Sequence, residues 1–88
     1  MDSPQNNELL FMQLIMQNQQ IAQFALGKTV NPVTNKTEVN LEMGKLIIDS
    51  LDMLKVKTKG NLTNNEAAFL DNVLSELKIT YLELLSKN

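Results

Sequence analysis

The chain contains no cysteine, histidine or tryptophan, and all eight of its basic residues are lysines. Without cysteine there are no disulfides and no thiolate metal sites, and nothing depends on redox compartment. With histidine missing as well, the commonest general base, the thiol nucleophile and the commonest transition-metal ligands are absent together. There is no Gly-rich phosphate loop and no Gly-x-Ser-x-Gly pattern. Arginine is the side chain most used for bidentate contacts to phosphate and guanine, so its absence counts against nucleic-acid binding. These gaps point to a protein that is not an enzyme and that takes no cofactor and no metal.

The opening residues, Met1 to Glu8, carry no positive charge, and the apolar stretch behind them is broken at Gln13 and again from Gln17 to Gln20. That pattern fits neither a secretory signal nor a membrane span, so the expected setting is cytoplasmic, with no membrane partner. Without such a signal, the glycosylation-like triplets at Asn35 and Asn61 are chance matches in an Asn- and Thr-rich chain.

With 43% hydrophobic residues and a net charge of -2 over 88 residues, the composition is that of one folded domain. A chain this short buries only about 60 to 65% of the surface it exposes when unfolded, so added stability from oligomerisation is expected.

Apolar periodicity predicts an all-α chain of three helices, over 6–26, 41–58 and 64–85, with a loop at 27–40. In the first, Phe11, Leu14, Ile15, Ala22 and Ala25 share one side. Leu9, Leu10, Met12, Met16, Ile21 and Phe24 spread beyond it, leaving mainly glutamines for water. Ser3 with Pro4, or Asn7 with Glu8 behind it, supplies the start, and Gly27 the left-handed stop. The loop turns at Asn31-Pro32 and at Thr34-Asn35, and is read as a crossover packing Val30, Val33 and Val39 on the bundle, with a binding loop as the alternative.

The second helix has Asn40 as N-cap and buries Leu41, Gly44, Ile47, Ile48, Leu51 and Leu54. A glycine on that stripe costs about 1 kcal/mol relative to alanine, which suggests that a neighbour approaches closely there. Gly60 ends the turn that follows. Thr63 with Glu66 forms a capping box for the third helix, whose stripe is Ala67, Leu70, Val73, Leu74, Leu77, Tyr81 and Leu84.

Phe69, Ile79 and Leu82 fall off that stripe, so the first and third helices have more apolar surface than one small bundle can hide. The expected consequence is self-association, a dimer first of all, through Phe11, Met12, Leu14, Ile15, Met16, Phe24, Ile79 and Leu82. Met12 and Met16, set among glutamines, would also suit an adaptable protein partner. A second candidate is the cluster Lys55, Lys57 and Lys59, beside the free N–H groups opening the third helix, as a contact for an anion or a nucleic-acid phosphate. The plainer reading is that these lysines complement the dipole of the second helix, and three lysines without interleaved aromatics fall short of a nucleic-acid footprint. Asp49 with Asp52, and Glu38 with Glu42, are too few oxygens for a metal site and read as solvated faces.

The segments Phe11 to Leu14, Ala25-Leu26-Gly27, Asn31-Pro32 with Thr34, Val39 to Leu41, Lys45 to Leu54, and Lys57 to Thr63 with Glu66 resemble a bacterial family catalogued as domain of unknown function 1844. The similarity runs from about Leu9 to Leu82. Asn35 stands where that loop often has glycine, Gly44 where alanine is usual, and Asn40 where an acidic cap is common. The resemblance implies a free-standing bacterial cytosolic protein and carries over no catalytic residue.

Overall fold

The three helices form where the periodicity places them: α1 spans Pro4–Ala25, α2 Leu41–Lys57 and α3 Asn64–Ser86. They are seen in a computed structural model that describes residues 4–30 and 32–87. Ser3, one of the expected caps, and Asn31, the first residue of the expected loop turn, lie outside the described residues. Helix α1 takes the earlier of the two starts, with Pro4 as its first residue, where a missing N–H costs nothing. Asn7 is therefore inside the helix.

At its other end α1 stops one residue earlier than expected, at Ala25, in a complete Schellman motif. The N–H of Lys28 donates to the carbonyl of Gln23 over 2.8 Å, and that of Gly27 to Phe24 over 3.2 Å, with Gly27 at φ +73°. Leu26 leaves the helix, forms an antiparallel bridge with Val39, and is almost fully buried.

Helices α1 and α2 run antiparallel, because Asn40 N–H donates to the carbonyl of Ala25 over 2.7 Å at the point where one ends and the other begins. The side chain of Asn40 then accepts from Met43 N–H and caps α2. The close approach expected at Gly44 is real, and the neighbour is Leu26: a Cβ on Gly44 would lie 2.7 Å from Leu26 Cδ2. Helix α3 runs parallel to α1. Glu8 accepts from the Thr63 hydroxyl near one end, and Gln23 donates to Glu76 near the other.

Each helix packs on the other two. The core is Ile15, Ala22 and Leu26 from the α1 end, Ile47, Ile48 and Leu51 from α2, and Leu70, Val73, Leu74 and Leu77 from α3. Burial of each large side chain stabilises the fold by about 1.5 to 3 kcal/mol. The molecule measures 43 × 27 × 16 Å across its Cα atoms. Its thin dimension holds no more than two layers of helix, about 8 to 10 Å apart.

Two expectations fail here. Leu14, expected to share one side with Phe11, Ile15, Ala22 and Ala25, is 46% exposed where Ile15 and Ala22 are buried, because α2 and α3 cover only the side of α1 that carries Ile15, Ala22 and Leu26. The loop valines do not pack on the bundle either: Val30, Val33 and Val39 are all more than half exposed. Backbone bonds pin the connection at Leu26, Val39 and Asn40, so it needs no apolar anchor between them. Asn35 in this loop has φ +56°, a left-handed conformation that glycine adopts freely and asparagine tolerates.

Candidate functional site

The lysine cluster lies where α2 ends. Thr58 caps α2, its N–H and hydroxyl both donating to the carbonyl of Leu54. The carbonyl of Thr58 then accepts from Asn61 N–H, with Gly60 at φ +86°, the positive φ that a type II turn requires at its third residue. The capping box follows as expected: Thr63 N–H donates to the Glu66 carboxylate over 2.7 Å, and Glu66 N–H donates to the Thr63 hydroxyl over 3.1 Å.

The three lysines are not equivalent. Lys55 is in an ion pair with Asp71 at 2.8 Å, and the hydrogen bond to Asp71, followed by the attraction of its charge, raises the Lys55 pKa above 10.5. Lys57 and Lys59 are exposed and have no carboxylate partner among the described residues. A cavity of about 180 Å³ beside the turn is lined by residues that include Lys55, Lys59, Gly60, Leu62 and Asp71. An anion entering it meets the Asp71 carboxylate together with Lys55, and of the N–H groups opening α3 that of Glu66 is already taken by the Thr63 hydroxyl.

The residues expected to form a self-association surface are not brought together as one patch. Ile15 is fully buried in the core and Phe11 packs against it; neither faces outward, because both lie on the side of α1 that α2 and α3 cover. Met12 and Phe24 are half-buried, while Leu14 and Met16 are exposed. Ile79 and Leu82 are exposed on α3. Leu82 borders the α2–α3 groove beside Lys45, Asp49, Asp52 and Lys78, away from the exposed residues of α1.

A different apolar face emerges instead. On α1, Leu10, Leu14 and Ile21 follow one another at four- and seven-residue spacing with Gln17 between them. On α2, Met43, Leu46 and Met53 follow at three- and seven-residue spacing with Ser50 between the last two. All six apolar residues are 41 to 59% exposed. At 3.6 residues per turn, both stripes lie about 100 to 180° round their helices from Glu8, Lys55 and Asp52, which reach towards α3. Ile21, Phe24 and Met43 line one shallow depression where the two stripes meet, together with Glu38 and Asn40 of the connection. The stripes therefore form one continuous surface, the outer face of the α1–α2 pair, with no charged residue among the eight. The α2 half was legible as Met43, Leu46, Ser50 and Met53 at three- and four-residue spacing, but the stronger stripe on the opposite side of α2 masked it.

Among the described residues, no three carboxylates gather where a metal ion could be held, and no helix is long and apolar enough to cross a membrane. Asp49 and Asp52, the expected solvated pair, are engaged by Lys45 and Lys78 respectively. Comparison with curated proteins and with solved structures finds no match. A family does match, over residues 8–83, and it is the one whose motifs the sequence resembles: the chain belongs to the family described as Domain of unknown function (DUF1844).

Proposed function

We propose that this is a non-enzymatic, cytoplasmic helical interaction module that associates with itself through the outer face of α1 and α2. The observation that carries the reading is that face: six large apolar residues, each 41 to 59% exposed, on two adjacent helices with no charge among them. Two helices about 9 Å apart, the shorter of 17 residues, present a face about 25 Å long and about 20 Å wide, or about 500 Å² in projection. Accessible surface exceeds projected area, so the patch is of the order of the roughly 800 Å² per partner that stable complexes bury. An apolar patch of that size is towards the upper end of what monomeric proteins leave open, and such patches are often functional.

The lysine turn supports its reading less well, because Lys55 is held by Asp71 and the Asp71 carboxylate lines the same cavity. Light scattering or sedimentation at micromolar concentration tests the proposal. A dimer mass that falls to the monomer mass in Leu14→Glu or Leu46→Glu, with helix content kept, is the expected result. A wild-type chain that is monomeric and melts cooperatively overturns it.

A further inference from the structure

We propose that the second copy is related to the first by a two-fold axis crossing α1 and α2 at right angles, midway along their outer face. This rests on the self-association proposed above and adds its geometry. The argument is one of register. Ala25 and Asn40 stand level, joined by the 2.7 Å hydrogen bond between their backbones. Counting back along α1, the midpoint of Leu10 and Ile21 lies about nine and a half residues away, or roughly 14 Å. Counting forward along α2, the midpoint of Leu46 and Met53 lies the same distance away. Both midpoints fall on one line across the face.

Rotation about that line lays Leu10 of one copy on Ile21 of the other, and Leu46 on Met53, so that these apolar groups meet each other, while Leu14 meets the uncharged amide of Gln17. The rim obeys the same symmetry. Glu42 in the first turn of α2 and Lys57 in its last turn are equidistant from the line, so the rotation sets each Glu42 against the other copy's Lys57. Neither has an ion-pair partner in its own chain among the described residues. Two opposite-charge pairs per dimer thus flank an uncharged centre. A patch that is its own complement under a two-fold is what an isologous dimer requires.

The cysteine-free chain suits a direct test. Ser50 lies beside the axis, and facing helices 8 to 10 Å apart bring Cα atoms within disulfide range, so Ser50→Cys oxidised with diamide is expected to link to itself. Glu42→Cys alone stays unlinked, since its symmetry mate is about 22 Å away along the helix. Charge reversal gives an independent readout. Lys57→Glu is expected to weaken the dimer roughly threefold to tenfold, and adding Glu42→Lys to restore it.

Each reversal also opposes the α2 dipole, so folding losses accumulate in the double variant while the dimer constant recovers. A purely structural role for these residues does not produce that divergence. A dimer in which Ser50→Cys stays unlinked and the double variant binds no better than Lys57→Glu overturns the two-fold arrangement and leaves self-association standing. A wild-type chain monomeric at every concentration overturns both.

Discussion

Towards α3, helix α2 carries Lys45, Asp49, Asp52 and Lys55, and every one of them is in an ion pair at 2.8 or 2.9 Å, two with Lys78 and Asp71 of α3 and two with each other. Towards the outer face of α1 it carries Met43, Leu46, Ser50 and Met53, with no charge among them. The α1 side of that face is as neutral, since Glu8 is the only charged residue in the helix and points to Thr63. Exposed ion pairs add little stability, but they hold water and make a surface expensive to bury. Amides and hydroxyls are far cheaper to desolvate than charges. Between its end residues Glu42 and Lys57, α2 therefore keeps its charges on the side turned towards α3 and leaves the stripe Met43, Leu46, Ser50 and Met53 neutral.

The comparison is broken most severely by substitutions on opposite sides of one helix. Leu51 is 1% exposed and Leu46 is 59% exposed, although both belong to α2. Leu51→Ala is expected to cost about 2 to 5 kcal/mol, the lost transfer energy plus a cavity in the core. Leu46→Gln is expected to change the stability of the isolated chain by no more than about 0.5 kcal/mol while weakening the dimer. Urea unfolding at low and high protein concentration separates the two, because association stabilises the folded chain only when its partner is abundant. If Leu46→Gln costs as much as Leu51→Ala in the dilute chain, the outer face is core and the distinction collapses.

What the sequence could and could not reveal divides along the same line. The caps and turns were legible because each is a local device: Asn40, Gly60 and the Thr63–Glu66 box act within a few residues of themselves, and all are found in place. The α2 and α3 stripes were legible because one face of each helix is buried and periodicity records that. Helix α1 was harder, since apolar residues surround it, and only the positions of α2 and α3 decide that Ile15 is core and Leu14 is surface. The partner of Gly44 was beyond local pattern, because Leu26 reaches it only after the chain has closed the α1–α2 connection. The outer face belongs to neither helix alone, so no single periodicity could announce it.

A smaller effect sharpens the comparison where α1 meets the start of α3. The Thr63 hydroxyl accepts from Glu66 N–H and donates to Glu8 at 3.3 Å, so it caps one helix and ties it to the one charged residue of the other. Thr63→Ala is expected to cost about 1 to 2 kcal/mol, the upper end of the range for a lost N-cap. Thr63→Ser keeps both roles and should stay within about 0.5 kcal/mol of the parent. Neither should move the dimer constant, because Thr63 is remote from the outer face; a shift in that constant would mean that the two regions are coupled.

The smallest expected effect is a pH dependence confined to the charged side. Lys45 and Lys55 both have their pKa raised above 10.5, first by the hydrogen bond to Asp49 or Asp71 and then by the attraction of that carboxylate. A lysine whose pKa is higher folded than unfolded contributes stability that is fully present below its ordinary value and is lost as pH rises through the folded one. These pairs should therefore leave the melting temperature flat at neutral and mildly alkaline pH and lower it slightly above pH 10.5. Both ammonium groups are in water, so salt should shrink the fall further. Lys45→Met with Lys55→Met should remove this part of the alkaline fall without altering dimerisation, because neither lysine lies on the neutral face. If the dimer constant instead follows these two lysines, the association surface is on the α3 side of α2, and the neutrality of the outer face has another cause.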